Sequence, residues 1–315
     1  MRSLIIGGAG FVGSYLVRHL ITLGHEAAVT KMPTEEADLA GAAIYDLDIL
    51  DKEAVVVLLD KVKPDLVFHL AAQSSVSMSW RNPQQTIDVN VRGSTNVLDA
   101  LCSMGKKARI LLVGSGEEYG QLLPEEIPVR ETNLLRPANI YAATKACQNM
   151  IGRIYAKAYG MDIVMVRAFN HIGPNQSPIF AIADFCRQAV LIEAGMEEPI
   201  LRVGNLEARR DFTDVRDVVR AYALLAEQGQ AGETYNIGSG HAVSIADVLR
   251  IVLEQSTAMI RVEVDEKKLR PVDVPVMEAN VCKVWNDIGW KSEIRLEQTI
   301  GDMMEYWRKM INSSS

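Results

Sequence analysis

Short apolar runs at 4–6, 27–30, 44–47, 66–71, 110–113 and 163–167 alternate with amphipathic stretches at 12–22, 83–101 and 141–159 in the first half of the chain. Strands and helices place their apolar residues at different periods, so the two kinds of segment can be told apart. A strand, a helix and a second strand of one sheet close as a right-handed crossover, which makes the sheet parallel and covers both of its faces. The rhythm therefore predicts an α/β fold built on a doubly wound parallel sheet.

After residue 170 the rhythm breaks into loops bearing Pro and Gly, HIGPNQSP and MEEPILRVGN. A helical pattern at 215–226 and a strand-like stretch at 233–237 follow, and both are expected to rejoin the first sheet. The expected division is discontinuous: 1–171 with 212–238 as a Rossmann domain, and 172–211 with 239–315 as a smaller α/β substrate domain. Leu296, Ile300, Met303, Met304, Trp307 and Ile311 recur at helical spacing and predict a packed terminal helix, with the tail 312–315 fraying.

GGAGFVG, residues 7–13, follows the first apolar run and opens the first helix. Gly7, Gly10 and Gly13 allow a tight turn, close approach to a pyrophosphate and close helix–strand packing. The helix start, at Phe11 and Val12, then offers N–H groups to the phosphates. A ribose-binding acid is expected about 20 residues on. That place reads VTKM instead, so Thr30 and Lys31 are expected to receive a 2′-phosphate, which leans toward NADP over NAD. Asp48 and Ile49 are expected near the adenine, and Leu70, Ala71 and Ala72 beneath the cofactor.

The formal net charge of −7 argues against nonspecific nucleic-acid binding and against anionic membranes, so an anionic substrate would need locally clustered arginines. Cys102, Cys147, Cys186 and Cys282 are scattered, with no Cys-x-x-Cys pair and no metal-ligand spacing. They are expected as small buried thiols of a cytoplasmic protein without a metal. The opening MRSLIIGGAGFVGSYLV is read as a strand and turn rather than a secretion signal, because it is dense in glycine.

In NIYAATKA, Tyr141 and Lys145 lie four apart and so on one helix face. An ammonium beside a phenol favours phenolate, so Tyr141 is expected to titrate toward neutrality and to exchange a proton with a carbonyl or hydroxyl oxygen. Ser115, in GSGEEYG, ends a central strand, where open α/β sheets bind their ligands. Its hydroxyl is expected on that same oxygen.

Together these features resemble the extended short-chain dehydrogenase/reductase family, and the resemblance covers nearly the whole chain. It implies Ser115 and Tyr141 on the reacting oxygen, Lys145 on the nicotinamide ribose, and NADP(H) or NAD(H) as cofactor. Asn90, in DVNVRGSTNVLDA, matches a position that helps hold the active-site backbone. A homodimer through helices around 83–101 and 141–159 is also implied.

The second half is similar to the nucleotide-sugar branch of that family. RAFNHIGPNQ matches the loop entering the sugar site, which implies substrate roles for Asn170 and His171, and Ser75 of AAQSSV falls where relatives touch the sugar. VGNLEARRDFTDVRDVVRAY and LRPVDVP place Arg210 and Arg270 where relatives clasp a diphosphate, with Arg202 as a third cation and Asp273 on a ribose hydroxyl. Guanidinium groups suit that task because they bind phosphate oxygens in pairs.

The implied activity is NAD(P)H-dependent reduction of the C4 ketone of a GDP-4-keto-6-deoxy sugar, giving GDP-D-rhamnose. A GDP-mannose 4,6-dehydratase and a 4-epimerase are the other outcomes on this plan. In dehydratases a Glu at the position of Glu117 takes the C5 proton, so that carboxylate is a candidate base. Gly116 stands where many relatives have a second serine, which is expected to leave room beside the sugar. Glu118 is expected to face away from the site. A cofactor sensor without chemistry need not keep Ser115, Tyr141 and Lys145 together.

Overall fold

A computed structural model of the chain describes residues 1–105, 108–269 and 274–314. The first half builds β1 (Arg2–Ile6), α1 (Phe11–Thr22), β2 (Glu26–Lys31), β3 (Ala42–Asp46), α2 (Lys52–Val62) and β4 (Leu66–His69). Next come α3 (Val76–Arg81), α4 (Pro83–Ile87), α5 (Ser94–Ser103), β5 (Arg109–Ser115), α6 (Ile140–Tyr159) and β6 (Ile163–Ala168). The order β10-β6-β5-β4-β1-β2-β3 forms a seven-stranded sheet whose neighbours all pair in parallel. The expected doubly wound α/β fold is therefore present. Strands such as β6 are buried along their whole length because helices cover both faces.

Chain direction in the sheet reverses beside β1, where the path β1-β2-β3 is left for β4 on the other side. Ligands of open α/β sheets bind at such a switch point, outside the carboxyl ends of the strands. The turn after β1 and the segment after β4 both open there.

The second half adds β7 (Asn170–Ile172), α7 (Ala181–Glu193), β8 (Ile200–Val203), β9 (Arg209–Asp214), α8 (Val215–Gln228), β10 (Thr234–Ile237), β11 (Ala242–Ser244) and α9 (Ile245–Gln255). Then follow β12 (Arg261–Val264), β13 (Val276–Met277), α10 (Cys282–Ile288) and α11 (Leu296–Ser314). Helix α8 packs on α1, and β10 pairs with β6 at the edge of the main sheet. Strand β9 runs across residue 212 and pairs with β7, β11 and β13 in a smaller sheet. Helices α7, α9 and α11 enclose a separate core around Phe185, Leu201, Val248, Ile300 and Met303.

Three expectations are corrected. The stretch 83–101 is not one α-helix: a π-helical turn, Asp88–Gly93, lies between α4 and α5. Helix α11 continues through the polar tail to Ser314. Of the cysteines Cys186 is buried, whereas Cys102 and Cys147 are half-buried and Cys282 is exposed. Among the described residues no helix is long and apolar enough to cross a membrane.

Candidate active site

Gly7 sits at φ +81, and a Cβ there would lie 2.7 Å from the Ala71 backbone, so the turn after β1 touches the segment after β4. Gly8 and Gly13 are likewise excluded from carrying side chains by Val29 and by Gly8 itself. Gly10 differs. A Cβ on it would meet only the Gly7 carbonyl, at 3.5 Å, so the protein's own packing does not use that space. Gly10 also begins α1 with no side-chain cap and no acidic residue in the first turn. The N–H groups at Phe11, Val12 and Gly13 therefore face an open position that favours an anion, which fits a dinucleotide's pyrophosphate.

The ribose end departs from expectation. Thr30 is buried, and its Oγ1 accepts from the Gly7 N–H at 2.9 Å, so it braces the glycine turn instead of awaiting a phosphate. Lys31 Nζ is paired with Asp46 Oδ1 on the neighbouring strand at 2.5 Å. Asp48, half-buried, accepts from Leu50 N. Ile49 is buried against Gly93. The N–H groups of Leu70 and Ala71 both donate to Ile6 O, which fixes Leu70, Ala71 and Ala72 beside the glycine turn.

Ser115 closes β5 and caps the 3-10 turn Gly116–Tyr119. Tyr141 enters at the start of α6, whose N-cap Asn139 accepts from Ala142 N at 2.8 Å. Helix α6 packs on β5 and on the 3-10 turn, which brings the Tyr141 phenol and the Ser115 hydroxyl into one site. Lys145, one turn along and 3% exposed, donates to Val113 O at 2.8 Å and to Gln148 Oε1 at 3.0 Å.

The expected lowering of the Tyr141 phenol is not found. Burial pushes it above its ordinary value, the neighbouring Ser115 hydroxyl pulls it partly back, and the Glu117 and Glu118 carboxylates raise it again. Lys145 aims at β5, and it is the lysine that moves: burial brings it down to about 8 against an upward pull from Glu118. The phenol thus stays a proton donor, and the ammonium one turn along α6 is the group poised to titrate.

Asn90, carried inward by the π-helical turn, holds this site through the backbone as expected. Its Oδ1 accepts from Gln73 N at 2.8 Å, and its Nδ2 donates to Thr144 Oγ1 at 3.0 Å. Thr144 in turn donates to the Tyr141 carbonyl at 2.7 Å.

The two adjacent glutamates face different surroundings. Glu117 is half-buried and accepts from Asn139 Nδ2 at 3.1 Å. Glu118 is fully buried and paired with Arg167 Nε at 2.9 Å. The room expected at Gly116 is taken, since a Cβ there would press on the Phe169 ring at 3.1 Å.

On the substrate side, Asn170 is exposed at the start of β7. His171 is half-buried, stacks on Phe11 with 6.4 Å between ring centroids, and is held by Phe169 O at 3.1 Å. Burial lowers its basicity, partly offset by that bond. Ser75 is committed to capping α3, where it accepts from Met78 N at 3.2 Å. Arg210 is buried in β9 with Nη1 on Arg209 O, whereas Arg202 stands exposed on β8, which pairs with β12. The two arginines lie on different sheets. Arg270 and Asp273 lie outside the described residues.

Residues 4–303 match the sequence profile of the GDP-mannose 4,6 dehydratase family. The chain belongs to that family. GDP-6-deoxy-D-mannose reductase of Pseudomonas aeruginosa is 29% identical over 310 residues, spanning 98% of both chains. A GDP-mannose 4,6-dehydratase of Vibrio cholerae is 27% identical over 348 residues, covering 96% of this chain and 92% of the relative. Among solved structures, RMD from Pseudomonas aeruginosa complexed with NADPH superposes with TM-score 0.86 at 28% identity, over 98% of this chain and 99% of that one. Thermus thermophilus UDP-glucose 4-epimerase in complex with NAD gives TM-score 0.88 at 29% identity, over 98% and 99%.

Three site residues of this family member carried sequence signals that motif reasoning passes over. His69 ends β4 fully buried, with Nε2 against Ser94 Oγ at 2.8 Å; burial and the Lys145 charge bring it down to about 3. Gln148 bridges Lys145 and Val113 O. Arg167 sits in the otherwise apolar β6, and a charge inside a strand covered on both faces signals a buried partner.

Proposed function

We propose that the protein is an NAD(P)H-dependent nucleotide-sugar reductase that converts the C4 ketone of GDP-4-keto-6-deoxy-D-mannose to the alcohol of GDP-D-rhamnose. The observation that carries this reading is the buried Tyr141 phenol at the start of α6, packed against the end of β5 that carries Ser115, because reduction of a ketone needs a proton donor there. The likeness to a GDP-6-deoxy-D-mannose reductase over the whole chain supports the substrate.

When bound, the reduced nicotinamide supplies a hydride for C4. Tyr141 gives its phenolic proton to the ketone oxygen as the C–O π bond opens, and Ser115 holds that oxygen. The Lys145 ammonium stabilises the phenolate left behind. Gly10 and the start of α1 hold the pyrophosphate, while Leu70, Ala71 and Ala72 line the approach. NADPH and NADH are both accommodated on this reading, since Lys31 is shared with Asp46.

The nucleotide sugar is assigned to the side of Asn170, His171 and Arg210, with Arg270 and Asp273 as further candidate ligands. The reading extends to a cytoplasmic homodimer. Exposed Met150 and Ile154 on α6 and Ile87 on the adjoining α4 support a helical dimer face.

A second reading, 4,6-dehydration with Glu117 as base, is favoured by one observation: that carboxylate is held by Asn139, the N-cap of the helix that carries Tyr141. Absorbance of NAD(P)H separates the two. Stoichiometric loss with the keto-sugar is expected; conversion of GDP-mannose without added cofactor would establish the dehydratase.

A further inference from the structure

The proposed chemistry leaves one buried charge unused. Glu118 Oε1 accepts from Ser115 N at 2.9 Å and from Asn149 Nδ2 at 2.7 Å, and Oε2 accepts from Arg167 Nε. Arg167 Nη1 continues to the Tyr119 hydroxyl at 2.9 Å and to Glu131 O at 3.1 Å. The backbone is shaped for this carboxylate: a Cβ on Gly114 would fall 2.2 Å from Glu118 Oε1 and 2.3 Å from Asn149 Nδ2. A buried ion pair is weak evidence for stability, since apolar residues of similar volume often serve as well. This pair, however, bonds directly to the main chain that carries a reacting hydroxyl.

We propose that Glu118 is a positioning residue for the reaction, fixing the backbone of Ser115 and providing the buried negative charge that offsets the Lys145 ammonium. The inference rests on the reading of Ser115, Tyr141 and Lys145 given above. The charged and titratable groups around the pair come from every adjoining element. They are His69 from β4, Glu117 and Tyr119 from the 3-10 turn, Glu131 from the following loop, Tyr141 and Lys145 from α6, and Arg167 from β6. Removing the Glu118 charge leaves Arg167 and Lys145 as buried cations. Lys145 then releases its proton more readily, and the Ser115 N–H faces a weakened acceptor.

The first test is the lysine itself, followed by the carbon-13 shift of its Cε against pH in the full-length protein, with Lys145→Met giving the assignment. Glu118→Gln is expected to move the Lys145 titration to lower pH. This readout needs no substrate, so it stands whether or not the assigned sugar is correct. A Lys145 titration unmoved in Glu118→Gln would overturn the proposal.

The second test is turnover with the keto-sugar. Glu118→Gln is expected to lower kcat by roughly 10- to 100-fold with KM within about twofold, as for a small misplacement of a reacting group. Glu118→Leu/Arg167→Met replaces the pair by apolar side chains and keeps the question open to test if the single variant does not fold. Its stability is expected near wild type with kcat still low. Full recovery of kcat in this double variant would show a purely structural pair and overturn the proposal. Inactivity of the wild-type protein on the keto-sugar would instead count against the substrate reading.

Discussion

The Lys145 ammonium donates to the carbonyl oxygen of Val113 across 2.8 Å, which pins the face of α6 carrying Tyr141 to the carboxyl end of β5, where Ser115 stands. Proton donor, hydrogen-bond partner and cation are thereby set by two rigid elements, and the consequences can be measured.

Tyr141→Phe removes the proton donor and little else, because the ring is buried and keeps its packing. General acid catalysis contributes about 10²- to 10⁴-fold, so kcat is expected to fall by that order. Binding of NADPH, followed by fluorescence quenching, is expected to stay within about threefold, since the phenol contributes chemistry rather than affinity.

The pH profile follows from Lys145. Its ammonium is the active form and burial brings it down to about 8, so kcat for reduction is expected to hold below that pH and decline above it. A stopped-flow profile still rising at pH 9 would contradict the assignment.

His69 makes the fold acid-sensitive. The imidazole is neutral in the folded protein down to about pH 3, whereas the unfolded chain takes up that proton near the ordinary 6.5. The unfolded state therefore binds more protons across that window, and stability is lost as pH falls through it. His69→Gln keeps a donor and acceptor for Ser94 without titrating. Its thermal midpoint is expected to drop less steeply than the wild type's between pH 6 and 4, read by circular dichroism.

The glycine turn separates packing from ligand binding. Gly8→Ala brings a Cβ to 2.5 Å from Val29 Cγ1 and is expected to cost about 1–3 kcal/mol of stability, as overpacking does. Gly10→Ala meets nothing closer than 3.5 Å, so its thermal midpoint should match wild type while NADPH binds at least about tenfold more weakly, about 1.4 kcal/mol. Equal NADPH affinity in Gly10→Ala would place the pyrophosphate elsewhere.

The fold was legible because the alternation of short apolar runs with helical stretches leaves few topologies, and the placement of Gly7, Gly10 and Gly13 between β1 and α1 marks the switch point. Tyr141, Lys145 and Ser115 were legible because an i, i+4 pair and a strand end are local features. What was missed depends on long-range partners. Thr30 and Lys31 read as free phosphate ligands until Gly7 N and Asp46 arrive from neighbouring strands. Lys145 was expected to lower the phenol of the resting protein, but there its ammonium is held by Val113 O and Gln148, which adjacency in sequence does not show. The Glu118–Arg167 pair joins residues 49 apart. A π-helical turn adds one residue without changing the apolar pattern around it, so Asn90's inward position was visible only through family resemblance.

The central claim, that this site delivers a hydride to C4 and a proton to its oxygen, is tested most directly by an isotope. Purified protein is given GDP-4-keto-6-deoxy-mannose with NADPH deuterated at the nicotinamide C4, and the product is read by NMR. Deuterium at sugar C4, one per NADPH consumed, is the predicted result. Formation of keto-sugar from GDP-mannose with the hydrogen of C4 recovered at C6, and no deuterium taken up, would contradict the account and make Glu117 the working base.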